Sequence, residues 1–155
     1  MRERFSDSWQ AGVTEWHARV MQHVTTEEGS NAIVTIHDDI EQFNDRFSTA
    51  LAEGAFEVIA EMYADDAQFL SAGSPSVRGR DAIIRMMKER HASGPTYLTV
   101  ESGDVWSSGD LVVDVGTFAI DAKPAIRGRE LVVYRRNAHG ALELLIDVPI
   151  SDASA

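Results

Sequence analysis

Four strand-like runs fill the last third of the chain, and they constrain the fold more than any other feature. Each run is rich in β-branched and aromatic residues. The runs span residues 96–107, 110–122, 127–137 and 141–150. The segments between them contain Gly, Pro, Asn and Asp, residues that favour turns. The pattern predicts a series of consecutive antiparallel hairpins.

The residues before these runs show helical periodicity for the most part. An amphipathic helix is predicted over residues 7–27, where Trp9 and Trp16 lie seven positions apart. A break in the helical pattern is predicted over Thr25–Asn31. Three later helices are predicted: one from Ile33 to Gly54, a short one that carries Phe56, Ile59 and Met62, and one over 80–92. Extended segments are predicted at 65–71 and 76–79. The expected fold class is therefore α+β, with the helices on one face of a curved mixed or antiparallel sheet and an apolar interior open at one end.

Composition limits the function classes. The chain has 155 residues, 44% of them hydrophobic, which fits one folded domain over 1–155. Its net charge of −11 disfavours nucleic acid and anionic membrane surfaces as partners. Without cysteine there is neither a disulfide nor a thiolate metal ligand, and no stretch is apolar for long enough to cross a membrane. We expect a cytoplasmic protein whose partner is a small molecule.

Asp147 is the leading candidate for chemistry. It lies in the last predicted strand among Leu145, Ile146, Val148 and Ile150. If that strand lines a cavity, loss of hydration raises the carboxyl pKa towards the range useful for proton transfer near neutral pH. The alternative is a solvated or hydrogen-bonded carboxylate at the end of a strand.

Asp114 and Tyr134 are the candidates for a second catalytic role. Strand alternation places Asp114 on one face with Val112 and Phe118, so it faces either the cavity or solvent. In the cavity, Asp114 and Asp147 would divide acid and base roles. The Tyr134 phenol would donate a hydrogen bond to an enolate or carbonyl oxygen, unless it is a core tyrosine with a satisfied hydroxyl.

Aromatic and arginine side chains are the candidates for substrate binding, each with packing or a turn as its alternative role. The aromatic candidates for the pocket wall are Tyr63, Tyr97, Trp106 and Phe118. Arg78 and Arg129, each beside a glycine at the boundary of an element, are candidates to clamp a carboxylate. His37 and Glu41 have i,i+4 spacing, but further ligands with suitable spacing are lacking, so we predict no metal site. No phosphate-binding glycine loop is present, and we predict no cofactor.

Three segments resemble a known family: Ile40–Gly54, Tyr63–Leu70 and Val77–Ile83, together with Val132–Arg136, His139–Leu142 and Asp147. Over residues 36–150 the chain is similar to the NTF2-like superfamily and its SnoaL-like, ketosteroid-isomerase-related group. That resemblance implies a cone-shaped domain with residues 1–30 as an added helical extension, and a homodimer. Ser71 and Phe47 stand where ketosteroid isomerases carry a catalytic Asp and Tyr, so the resemblance does not extend to steroid isomerisation.

SnoaL-like polyketide cyclases carry an acid/base Asp on their last long strand, in a pattern similar to that around Asp147. The resemblance thus implies a cofactor-independent cyclase, isomerase or dehydratase acting on an apolar oxygenated small molecule, such as a polyketide-like intermediate. Two alternatives remain open. One is a non-catalytic ligand-binding or dimerisation module. The other is an epoxide hydrolase, which requires Asp114, Asp147 and an arginine such as Arg127 or Arg129 in one cluster.

Overall fold

Three helices and six strands make up the part of the chain that the computed structural model describes, residues 27–152, with side chains described from residue 35. The helices are α1 (Glu27–Glu53), α2 (Phe56–Met62) and α3 (Arg80–His91). The strands are β1 (Tyr63–Phe69), β2 (Val77–Arg78), β3 (Leu98–Ser108), β4 (Leu111–Ile120), β5 (Ile126–Arg136) and β6 (Leu142–Ser151). The chain divides into two compact units between Ile36 and His37, and every interaction described below lies within the second unit, His37–Ala155. The helix predicted over 7–27 lies outside the described residues, except for its last position.

The strands form one curved, unclosed sheet in the order β2-β1-β6-β5-β4-β3. Strands β3 to β6 pair antiparallel with their neighbours in the chain, so the predicted hairpin series is confirmed. Strand β1 joins the sheet beside β6 in parallel, which makes the sheet mixed. Because β1 and β6 are adjacent, side chains from the α2–β1 junction meet side chains from the last strand.

Helix α1 ends where the sequence predicted but begins earlier. Its last residue is Glu53, and Gly54 follows with a φ of +69°, a left-handed conformation that glycine adopts at low cost. The predicted break over Thr25–Asn31 is wrong from residue 27 onward, because α1 already includes Gly29 and Ser30. A residue of low helix propensity costs only about 1 kcal/mol, which a 27-residue helix tolerates.

One face of the sheet is buried, and on it β4 and β5 alternate strictly. Val112 and Phe118 of β4 and Val132 and Tyr134 of β5 are each no more than 7% exposed. Ile40 and Phe47 of α1 are buried as well, and α1 reaches this face through a hydrogen bond from Tyr134 to Asn44. We call this buried side of the sheet the inner face.

Irregularities in strand pairing shape the inner face. The register between β3 and β4 shifts by one residue between Glu101 and Asp104, which is a β-bulge at Ser102 and Gly103. A second shift interrupts the β5–β6 ladder between Val133 and Tyr134. Past that shift, Asp147 of β6 pairs with Val132. This second shift therefore sets which β6 side chains share the inner face with β5.

Candidate active site

Two carboxylates lie in one row across the sheet. Val132 of β5 pairs with Asp114 on one side and with Asp147 on the other, and the row continues to Val105 and Phe69. Directly paired residues point to the same face, so both acids share the inner face with Val132. Strands are spaced about 4.8 Å apart, which places the Cα atoms of the two acids roughly 10 Å apart. Asp114 is 1% exposed and Asp147 is half-buried.

A third carboxylate, Glu130, lies diagonally between these two acids. It is two residues before Val132 on β5, so its Cα lies about 7–8 Å from those of Asp114 and Asp147. Glu130 is only 9% exposed. It is not among the residues predicted from the sequence. The alternation that placed Tyr134 on its face also places Glu130 there four residues earlier, and that signal could have identified it.

Tyr63 connects the helices to this row of acids. Its phenol donates a hydrogen bond to Asp147 Oδ2 at 3.1 Å, and its side chain is fully buried. The backbone holds it in place, because Arg80 Nε donates to the Tyr63 carbonyl oxygen at 2.8 Å. The ring also contacts Phe47, with 6.1 Å between centroids. Tyr63 therefore directly contacts the leading candidate acid.

Burial changes the acidity of Asp147 and Glu130. It raises the pKa of Asp147 from an ordinary value of 3.8 to about 6, although the Tyr63 hydrogen bond and the charge of Arg90 lower it. Burial and then the charges of Asp147 and Asp114 raise the pKa of Glu130 from 4.5 to about 8. At neutral pH Asp147 is therefore mostly ionised while Glu130 is mostly protonated, so a proton acceptor and a proton donor lie side by side.

Asp114 is held by the bulge in β3. Gly103 N–H donates to Asp114 Oδ1 at 3.2 Å, while Asp114 Oδ2 is buried with no hydrogen-bond partner in the described part of the structure. Burial raises its pKa, and the Gly103 hydrogen bond opposes that rise. A Cβ at Gly103 would collide with the carbonyl oxygen of Val115, so the close approach of β3 to β4 requires glycine here.

Tyr134 lies on the inner face, but its hydroxyl is engaged with α1. It is 1% exposed and donates to Asn44 Oδ1 across 3.4 Å, and its ring meets Phe43 edge-on with 5.1 Å between centroids. Burial raises the pKa of Tyr134 well above its usual range, so the phenol stays neutral. The hydrogen bond to Asp147 comes from Tyr63 and not from Tyr134.

The structure places most of the other predicted binding residues apart from the acids. Phe118 is buried on the inner face, four residues along β4 from Asp114. Trp106 pairs with Val113, on the opposite face of the sheet, and is 39% exposed. Arg78 on the short edge strand β2 and Arg129, which alternates with buried Gly128 and Glu130, are both exposed. The same period-2 alternation that brings Asp114 inward thus directs Trp106 and Arg129 outward.

Tyr97 lines a separate surface cleft of about 670 Å³ between α1 and the ends of β3 and β4. The side chains that line it come from three parts of the fold, namely Ser48, Thr49, Ala52, Tyr97, Leu98, Thr99, Ala119, Ile120, Asp121, Ala125 and Arg127. None of the three inner-face acids is among them. In the described part of the chain, no group of three or more His, Asp or Glu side chains is placed to hold a metal ion.

Residues 44–142, well over half of the chain, match the family model of the SnoaL-like domain. The chain belongs to the SnoaL-like family. This SnoaL-like match includes Tyr63, Asp114 and Glu130 but ends before Asp147, so it assigns no role to that residue. No curated protein sequence matches the chain.

Solved structures share the NTF2-like fold. A ketosteroid isomerase-like protein from Erwinia carotovora superposes with a TM-score of 0.64 at 17% identity, covering 76% of this chain and 97% of its own. An NTF2-like protein with a cystatin-like fold from Novosphingobium aromaticivorans gives 0.65 at 15% identity, covering 84% and 94%. A Catenulispora acidiphila protein in complex with S-DNPA gives 0.64 at 20% identity, covering 77% and 95%. At these identities the likeness establishes the fold alone.

The described helices have no stretch long and apolar enough to span a membrane.

Proposed function

We propose that this SnoaL-like protein is a cofactor-independent acid/base enzyme that cyclises, isomerises or dehydrates an apolar oxygenated small molecule, with Asp147 as the base. The observation that carries the proposal is the contact between the Tyr63 hydroxyl and the Asp147 carboxylate, 3.1 Å apart on the buried face of the sheet. A structural aspartate at a strand end needs no buried phenol. A base that must be held in one orientation benefits from such a contact.

The proposed reaction begins at a C–H bond next to a carbonyl group. An Asp147 oxygen takes the proton, the C–H electron pair forms the enolate double bond, and negative charge develops on the carbonyl oxygen. Glu130, protonated at neutral pH, supplies a proton or a hydrogen bond to that oxygen. The enolate then attacks an electrophilic carbon, regains a proton at another carbon, or expels a β-hydroxyl group. These outcomes are cyclisation, isomerisation and dehydration respectively.

Apolar side chains around the acids support an apolar substrate. Val112, Phe118 and Val132 lie on the same face, and Phe47 packs against Tyr63. Such surroundings exclude water and strengthen the electrostatic interactions of a developing enolate. A polyketide-like intermediate, which alternates carbonyl and methylene groups, presents acidic C–H bonds in an otherwise apolar skeleton.

A ligand-binding module without catalysis is the rival function. The three acids argue against it, because burying a carboxylate costs desolvation energy. Uncharged polar groups would bind a neutral ligand without that cost. The epoxide hydrolase alternative required an arginine, such as Arg127 or Arg129, in one cluster with Asp114 and Asp147. Both arginines are exposed, and Arg127 lines the separate cleft, so neither of them completes such a cluster.

Deuterium exchange tests the proposal without knowledge of the natural substrate. A panel of cyclic and aryl-substituted 1,3-diketones and β-keto esters is incubated in D₂O, and loss of the C–H signal is followed by ¹H NMR. We expect the protein to accelerate exchange of at least one probe by about 100-fold, typical of a positioned base, and Asp147→Asn to abolish the effect.

Asp45→Asn is the matched control, since Asp45 is an exposed carboxylate on α1. It should retain full activity. Undiminished exchange by a folded Asp147→Asn protein would refute the role of Asp147. Tight binding of a probe without any exchange would favour the ligand-binding module.

We also propose that two copies pair through the outer face of the sheet, the side opposite the acids. Trp106, Leu131 and Ile150 are on this side and are 39%, 36% and 47% exposed. Exposed apolar side chains on neighbouring strands are typical of an interface. Sedimentation velocity should give a dimer, and Trp106→Glu should shift it towards monomer. A wild-type monomer at all concentrations would contradict this pairing.

A further inference from the structure

Arg90, in the last turn of α3, is held beside the candidate base. Its guanidinium carbon lies 5.4 Å from the centre of the Phe69 ring, a cation–π contact. Phe69 is the β1 residue that pairs directly with Asp147. The positive charge of Arg90 is close enough to lower the pKa of Asp147. The stack on Phe69 thus places a cation next to the proposed site of proton transfer.

The hydrogen-bonding capacity of Arg90 is unused within the described part of the chain. Lys88, in the same helical turn, forms an ion pair with Glu57 at 3.6 Å, whereas no hydrogen bond or ion pair joins the Arg90 side chain to another described residue. The negative end of the α3 dipole explains a basic residue at this position. It does not explain why the guanidinium lies over Phe69, the residue that pairs directly with Asp147.

We propose that Arg90 binds a carboxylate of the substrate, so that the protein selects apolar small molecules carrying a carboxylate near the carbon that loses its proton. The planar guanidinium fork matches a carboxylate with two parallel N–H···O bonds. It also offsets the repulsion that Asp147 would exert on an anionic substrate. This inference rests on the proposed function, since it assigns the substrate class of the same site.

A matched pair of probes tests it. The probes are 2-naphthoate and 2-naphthalenemethanol, which share their apolar rings and differ in charge, and affinity is measured by titration calorimetry at pH 7.5. The proteins are wild type, Arg90→Gln and Arg85→Gln. Arg85 is an exposed arginine on the same helix, about 140° around the helix axis from Arg90, and serves as the control.

We expect wild type to bind naphthoate at least about tenfold more tightly than the alcohol, as a charge-assisted bidentate contact provides. Arg90→Gln should remove that preference and Arg85→Gln should keep it. Equal affinities in wild type, absence of naphthoate binding, or an unchanged preference in Arg90→Gln would overturn the inference. None of these results bears on proton transfer by Asp147, which the exchange assay with Asp147→Asn tests separately.

Discussion

Asp114 and Asp147 flank the same residue, Val132, in one row across the sheet, although they are 33 positions apart in the chain. That shared partner places both carboxylates on the buried face. Glu130, one diagonal step away, brings a third carboxyl group to the same surface. Burying three acids together is costly unless some of them keep their protons. Burial accordingly raises the pKa of each of these three carboxyl groups.

The Tyr63 hydrogen bond should determine part of the acidity of Asp147. Because this hydrogen bond lowers the pKa of Asp147, Tyr63→Phe should raise that pKa above its value of about 6 in the wild type. Carboxyl-carbon NMR titration measures the change. Tyr134→Phe is the control, since the Tyr134 hydroxyl bonds Asn44 instead, and it should leave the Asp147 titration almost unmoved. A Tyr63→Phe protein with an unchanged or lower pKa would show that the hydrogen bond is absent in solution.

Stability should fall as pH rises through the range in which Glu130 ionises. Its pKa is about 8 in the folded state and near 4.5 when solvated. The stability that protonated Glu130 contributes to the fold is therefore fully present below about pH 4.5 and is lost as the pH rises to about 8. Between pH 6 and pH 8 the wild type should lose a few kcal/mol of unfolding free energy. Glu130→Gln should lose much less, because an amide does not ionise.

Urea denaturation at pH 6 and pH 8 gives these unfolding free energies. Glu53→Gln, a change to an exposed acid on α1, should follow the wild type. If Glu130→Gln kept the full pH dependence of the wild type, then Glu130 would not be the group that ionises in this range.

The exchange reaction should have a bell-shaped pH dependence. Activity should rise as Asp147 ionises near pH 6 and fall as Glu130 loses its proton near pH 8. Initial exchange rates of the best diketone probe from pH 4.5 to 9.5 would measure both limbs. Glu130→Gln should lower the rate and remove the alkaline limb, since glutamine has no proton to lose. An alkaline limb that persists in that variant would exclude Glu130 as the acid.

The sequence predicts the elements of this fold closely, because the strand runs and turn residues are local signals. The predicted run 110–122 corresponds to β4 at Leu111–Ile120, and 80–92 to α3 at Arg80–His91. The sequence did not show that β1 would pair in parallel with β6, since that contact depends on how distant elements pack. The contact of Tyr63 with Asp147 is a direct result of that pairing.

The residues of the candidate site were predictable where strand alternation alone decides which side chains share a face. Alternation grouped Asp114 with Val112 and Phe118, which share the inner face with it, and the same rule applied to Glu130 would have found the third acid. The binding residues were harder, because the identity of an aromatic or basic residue carries no information about which face it takes. Arg90 gave no sequence signal, since its position depends on where the end of α3 meets Phe69.

The pKa of Asp147 in the wild-type protein tests the central claim most directly. Carboxyl-carbon NMR measures it, with Asp147→Asn to assign the resonance. A pKa of about 6 would confirm a desolvated carboxylate able to accept a proton near neutral pH. A value near 4, ordinary for a solvated aspartate, would contradict the proposed role by showing that Asp147 is open to water and not tuned for proton transfer.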